Sequence, residues 1–437
     1  MKKVIRILVG ISCVALLFIS WVIASESKSA AEKQLILIQK ATEMMDEGVF
    51  IRAVPLLEEA AGYDAKYTLL AEDELKTAYL ALIDKRGFSR KYLALLEKQT
   101  NSKDALPHVF IEKAEYYIEV SKFQEAFEVM RKGIEKTGDE NIVTLYENTR
   151  YIYEINRPVY ENVTELYNKT IQVQLDGKWG IAGDNGVLII PCMYDKISNF
   201  YQDRAIVQIS ENIYAIDREN NRIFVADQNV SDFKNLADNR VPLLINENWI
   251  RASGDFELGT SVFEEIGMYS EGYTAAKING KWGVIGIADK WFLPAEFDGI
   301  IPDEMGRCFA QGVVFVRSGK SVFLFTDGAF LNEPYEDAHA FNKEGYAAVK
   351  KNGKWGFIDT NGVPVIPFVF EDAMSFGQHL AAVKIGDHWG YINKQGNVVI
   401  DAIFHNAKSF SEGSAPVLTD RGWQIITLVE FKKGANL

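Results

Sequence analysis

Five histidines, His108, His339, His379, His388 and His405, are the side chains of this sequence best suited to acid–base or metal chemistry. None sits in an HExxH pattern and no two are four residues apart, so no helix presents a metal-binding pair. His388 stands where related segments carry lysine, which makes an exposed position the expectation for it. Neighbouring carboxylates such as Glu264-Glu265 and Glu371-Asp372 would point to opposite faces of a strand, the wrong geometry for a glycosidase pair. Nucleophile elbows, phosphate-binding loops and dinucleotide fingerprints do not occur. Cys13, Cys192 and Cys308 form no CxxC, so neither a zinc site nor a disulfide framework is implied. No catalytic, metal or cofactor site is expected. A hydrolase site assembled between repeats is the least favoured of the readings that stay open.

What recurs instead is tryptophan in a fixed setting. Gly-Lys-Trp-Gly occupies Gly177–Gly180, Gly280–Gly283 and Gly353–Gly356, and Asp387-His388-Trp389-Gly390 is a fourth version. The full set of anchors is Trp179, Tyr214, Trp249, Trp282, Ser321, Trp355, Trp389 and Trp423, spaced by 35, 35, 33, 39, 34, 34 and 34 residues. A constant period of that size marks one supersecondary unit copied in tandem, stable only when stacked. The unit beginning at Tyr346 reads as strand, Asn352-Gly353 hairpin turn, strand Lys354 to Asp359, Asn361-Gly362 turn and a third strand. Trp355 and Phe357 face one side of the second strand, Gly356 and Ile358 the other, so both faces are apolar and the strand is sandwiched. Burying one tryptophan is worth on the order of 4–6 kcal/mol as an upper bound. The tryptophans Trp179, Trp249, Trp282, Trp355, Trp389 and Trp423 are therefore read as stacking ribs in preference to sugar platforms. The glycines after them, Gly180, Gly283, Gly356 and Gly390, suggest a close approach by a neighbouring unit.

An aromatic follows each regular anchor by fifteen residues, and an acid comes next in Tyr194-Asp195, Phe297-Asp298 and Phe370-Glu371, with Phe404-His405 the exception. Asp195, Asp298 and Glu371 would form a stripe able to hold cations or a basic partner. The competing reading is that each caps backbone N–H groups locally. Taken together, Gly-Lys-Trp-Gly, Asn-Gly and Pro-x-x-aromatic-acid resemble the WG (KWG) β-repeat family of bacterial proteins over residues 171 to about 430. The resemblance implies an all-β repeat domain with no catalytic residues to carry over. Tyr214, Ser321, Ile250 and Gln424 depart from the motif. The units either close into a propeller of seven or eight blades or form an open, capped stack.

Residues 29–158 differ in character, with few Gly or Pro and apolar residues at helical spacing. Ala41, Gly48, Phe50, Ala53, Leu57 and Ala60, and again Ala114, Tyr117, Ser121, Phe123, Ala126, Met130 and Gly133, resemble the tetratricopeptide repeat. Tyr92 occupies a small-residue position in the middle copy. Such a segment either binds a partner in its groove or acts as a spacer. Before it, Lys2, Lys3 and Arg6 precede an uncharged run from Ile7 to Ala24. That pattern predicts a membrane anchor through residues 4–24 with the N-terminus cytoplasmic and the bulk extracytoplasmic, or a secreted protein after cleavage near Ala24. Net charge −13 argues against nucleic acid.

The fold class expected is thus multidomain: a transmembrane helix in residues 1–28, an all-α tetratricopeptide-like segment over 29–158, a linker at 159–170, and a β-repeat domain over 171–437. The function expected is non-enzymatic binding of a protein partner as a membrane-anchored scaffold. Binding of carbohydrate or a cell-wall component is the alternative.

Overall fold

The computed structural model describes residues 29–225, 230–326, 328–331 and 333–431. The chain divides into two compact units, Met1–Asn148 and Thr149–Leu437.

The first unit is helical. Its elements are α1 (residues 29–46), α2 (Phe50–Gly62), α3 (Thr68–Ala81), α4 (Phe88–Asn101), α5 (Pro107–Glu119), α6 (Phe123–Thr137) and α7 (Glu140–Thr149). Gly48, Gly87 and Ser121, with φ of 78°, 93° and 58°, supply the left-handed residue that turns each odd-numbered helix of the first six into the next. Small residues then allow close approach. A Cβ on Gly133 would lie 2.9 Å from Phe110 Cβ, so α6 can pack on α5 only with glycine there. Tyr92, oversized for the repeat, is nonetheless buried, and its ring meets Tyr116 edge-on at 5.5 Å. Charged groups inside the helix stack are paired: Glu72 with Lys98 at 2.7 Å, and Lys76 with Glu112 at 2.7 Å.

The second unit is all-β: eight four-stranded antiparallel sheets. Blade 1 shows the pattern. Its strands are β2 (Asn162–Val163), β3 (Thr170–Leu175), β4 (Lys178–Gly183) and β5 (Leu188–Tyr194), paired in that order. The short first strand follows directly on the last strand of the preceding blade, as Lys196–Ile197 follows Leu188–Tyr194 with one residue between. Seven blades repeat this order. The eighth takes its outer strand from the beginning of the unit: β1 (Tyr153–Ile155) pairs Tyr153 with Leu428 and Ile155 with Ile426. A ring closed by joining its first strand to its last blade is an eight-bladed propeller, which leaves no blade without neighbours.

The expected fold class is corrected by this structure. Seven helices and an eight-bladed propeller are described, and no described helix is long and apolar enough to cross a membrane. The transmembrane element and the single-pass membrane localisation therefore do not stand. Residues 4–24, on which both rested, lie outside the described residues.

Aromatic residues join strands within a blade and pack one blade on the next. The anchor pairs directly with the aromatic fifteen residues on: Trp355 with Phe370, Trp389 with Phe404 and Trp179 with Tyr194. A third aromatic packs on the preceding blade, as Phe376 does on Phe357 at 4.9 Å and Phe410 on Tyr391 at 4.7 Å. Tyr269 fills that place in blade 4, but its buried hydroxyl has no hydrogen-bond partner, and burial pushes its pKa up to about 12. Tyr269→Phe, the residue used at 200, 341, 376 and 410, is expected to stabilise the propeller by about 1 kcal/mol, since an unpaired buried hydroxyl is removed. Thermal unfolding of the variant checks this, and a lowered melting temperature would show the hydroxyl to be usefully bonded.

Candidate functional site

At the Gly-Lys-Trp-Gly positions the structure is specific about each residue. Gly177, Gly280 and Gly353 lie in the hairpin turn before the third strand, with φ between 70° and 75°. Trp249, Trp355 and Trp389 are buried, while Trp179, Trp282 and Trp423 are half-buried. A Cβ on Gly180, Gly283, Gly356 or Gly390 would fall 2.5–2.9 Å from the carbonyl oxygen of an outer-strand residue in the same blade. The close approach comes from the blade's own outer strand, which shifts register opposite these residues, not from a neighbouring blade.

Asp195, Asp298 and Glu371 lie at three separate blade junctions. One oxygen of each takes the lysine of its own motif: Lys178 at 2.5 Å, Lys281 at 2.6 Å and Lys354 at 3.0 Å. The other accepts the turn N–H of the next blade, from Ser210 at 2.7 Å, Gly319 at 2.7 Å and Gly386 at 3.3 Å. These bonds hold all three carboxyls below their ordinary range. For Asp195 and Glu371 the lysine is the largest cause, and for Asp298 it is the Gly319 amide. Glu161, Glu264 and Glu336 bond the turn N–H of Gly177, Gly280 and Gly353 in the same way. His405 takes this place before blade 8 and pairs with Asp420 of the turn at 2.6 Å. The motif lysine and its acid are thus an inter-blade clasp.

Two cavities lie at the hub. One, of about 430 Å³, is lined by the connections from first to second strand of blades 1, 4, 5, 6, 7 and 8, residues that can meet only near the axis. The other, of about 1100 Å³, is lined by blades 1, 2 and 3 together with residues 302–306. Between them runs an irregularity of blade 5. Its first-to-second-strand connection spans residues 301–313, thirteen residues where the other blades use six or seven. This extra length is the origin of the 39-residue spacing between Trp282 and Ser321. The segment reaches Lys408 of blade 8 through Glu304, Glu165 of blade 1 through Arg307 at 3.8 Å, and Asn235 of blade 3 through Met305. A segment of blade 5 that touches blade 1, directly opposite in an eight-membered ring, must cross the axis.

Glu165 is the most perturbed acid there. Burial, then Asp303 and Glu304 beside it, push its carboxyl up to about 8, against the opposing pull of Arg307 and Lys408. His339 also borders this cavity. Its ring stacks on Trp355 at 5.0 Å, and burial holds its pKa below the ordinary value. None of Glu165, Asp303, Glu304, Arg307 and Lys408 carries a motif signal in the sequence; only the 39-residue step points to them. The raised carboxyl has a sign. Stability that Glu165 contributes is fully present below about pH 4.5 and is lost as pH rises toward 8. Glu165→Gln is expected to flatten that decline and to melt above the wild type at pH 9. Parallel melting curves of the two proteins from pH 5 to 9 would contradict it.

Among the described residues no group of three His, Cys, Asp or Glu side chains is arranged to hold a metal ion. The architecture defines an eight-bladed propeller of tandem repeats. Five segments of it, residues 179–212, 261–282, 335–355, 355–387 and 389–423, match the family model described as WG containing repeat. No curated protein matches the chain significantly. Solved structures with some likeness include Kluyveromyces lactis Hsv2 (11% identity, TM-score 0.32, covering 51% of this chain and 93% of that one). The Neurospora crassa Pan2 WD40 domain is another (10% identity, TM-score 0.34, 62% and 92%). A third is the dihydro-heme d1 dehydrogenase NirN in complex with DHE (12% identity, TM-score 0.39, 65% and 77%). Likenesses of that size carry no activity or partner over to this chain.

Proposed function

We infer that this chain is a non-enzymatic scaffold that binds a protein partner. The propeller is a repeat architecture, whose usual product is an extended, rigid surface of turns, and the helical unit adds helix faces to the surface available. The observation that carries the reading is the use made of the repeat signature. Its tryptophans, glycines, lysines and acids are consumed in packing and in the inter-blade clasps, so variation is left to the loops and the helical unit. The histidines support it too. His108 lies on α5, His339 borders the hub, and His388 and His405 pack together at 5.8 Å between rings on an exposed blade junction. Among the described residues no nucleophile–base pair is built from them. The test is a pulldown from cells that make the protein, with residues 29–148 and 149–437 used as separate baits. The same polypeptide should be retained by one unit and recovered by crosslinking the full chain in intact cells. Failure of either bait to retain a crosslinked partner, or turnover of a substrate abolished by a single acid or histidine replacement, would remove the reading.

A further inference from the structure

We propose that the turn at residues 302–307 of the blade 5 connection is a hinged gate on the propeller axis, seated on the buried residues 308–310 that follow it, which opens to join the two hub cavities when Glu165 loses its proton. Three observations of geometry carry this. First, Asp303 and Glu304 line both cavities, so the turn they begin is the partition between them. Second, that turn is built as a unit. Asp303 accepts the N–H groups of Met305 at 3.0 Å and Arg307 at 2.9 Å, pairs with the Arg307 guanidinium at 2.6 Å, and its carbonyl takes Gly306 N–H at 3.0 Å. Gly306 closes the turn at φ +92°. Third, one backbone bond ties it to another blade, Met268 N–H to the Gly306 carbonyl at 3.0 Å; the other ties are side chains, namely the Glu304–Lys408 ion pair, the Arg307 guanidinium 3.8 Å from Glu165 and 5.6 Å from the Tyr167 ring, and the buried Met305, whose sulfur accepts the Asn235 amide at 3.9 Å. A turn bonded mostly to itself can leave its seat without unfolding.

The switch follows from what faces Glu165. Asp303, Glu304 and Arg307 come from the gate, and Lys408 from blade 8; two like charges stand against two cations. Closed, the gate holds the Glu165 carboxyl protonated up to about pH 8, against an ordinary 4.5. Any opening that hydrates Glu165 returns it toward the ordinary value. Linkage then makes the open fraction rise with pH, by as much as ~100-fold between pH 6 and 9.

Hydrogen exchange at single-residue resolution tests this. The Met268 amide reports undocking because its acceptor is on the gate, whereas the Gly306 amide, bonded within the turn, does not. After correction for intrinsic exchange, Met268 protection in the full chain is expected to fall steeply from pH 6 to 9. In Glu165→Gln it should stay level, while amides of the strand Leu380–Ile385 stay protected in both proteins. The wild-type titration stands alone if the variant folds poorly. Met268 protection that does not change with pH in the wild type, or that falls equally in Glu165→Gln, would overturn the gate.

Discussion

A propeller unit that begins at residue 159 is expected to fold poorly or aggregate, whereas one that begins at residue 149 folds cooperatively. The ten residues between them close the ring. β1 supplies the outer strand of blade 8, with Tyr153, Glu154 and Ile155 opposite Leu428, Thr427 and Ile426. Flanking bonds reinforce it: Val429 N–H to Ile152 at 2.9 Å, Asn156 N–H to Ile425 at 2.8 Å, and the Gln424 amide to the Asn156 carbonyl at 2.8 Å. The Tyr153 ring also packs against Phe404 at 6.1 Å. Losing these bonds at about 1 kcal/mol each, together with the aromatic contact, costs about 5 kcal/mol, as much as many domains possess. It also bares the strand Gly422–Leu428 as an apolar edge open to other chains. Circular dichroism melting and size-exclusion chromatography of the two fragments decide the matter. A monomeric fragment 159–437 with the melting temperature of 149–437 would show that closure through β1 contributes nothing.

That strand also marks where the sequence stops being legible. Eight anchors, two hairpin turns per regular unit and strands with two apolar faces can all be read from residue types, because each recurs at a fixed phase. The two-residue first strands, such as Asn162–Val163, are too short to show any period, and they build the hub. β1 lies among residues grouped by composition with the helices, and nothing in Tyr-Glu-Ile announces a partner more than 270 residues away. The acids Asp195, Asp298 and Glu371 are visible in the sequence, but not the turn amides of the next blade that they accept. Ring closure determines those partners. At the hub, the long step from Trp282 to Ser321 shows that residues were inserted without showing where. Only the crossing to Glu165 and Lys408 gives them a role.

The glycine after the tryptophan yields the sharpest test of how the repeat is built. In Gly390→Ala the new Cβ would stand 2.6 Å from the Ile400 carbonyl oxygen, 2.7 Å from Ala402 N and 2.8 Å from Ala402 Cα. These are backbone atoms of the outer strand, at the point where pairing shifts register between Trp389 and Tyr391. No side-chain rotation relieves the clash; the outer strand must move, and with it Phe404 and its contact with the tryptophan. Blade 3 shows the alternative. Ile250 replaces the glycine there, and the outer strand pairs it directly with Val262 without a shift at that step. Gly390→Ala is therefore expected to destabilise the propeller by about 3 kcal/mol or more, a fall of roughly 6–12 °C in Tm for a unit of this size. Gly353→Ala is the control. Its Cβ would meet nothing within 4 Å, and only the left-handed φ of 74° opposes it, for about 1 kcal/mol. If calorimetry finds alanine as well tolerated at 390 as at 353, the outer strand is not what selects glycine beside tryptophan.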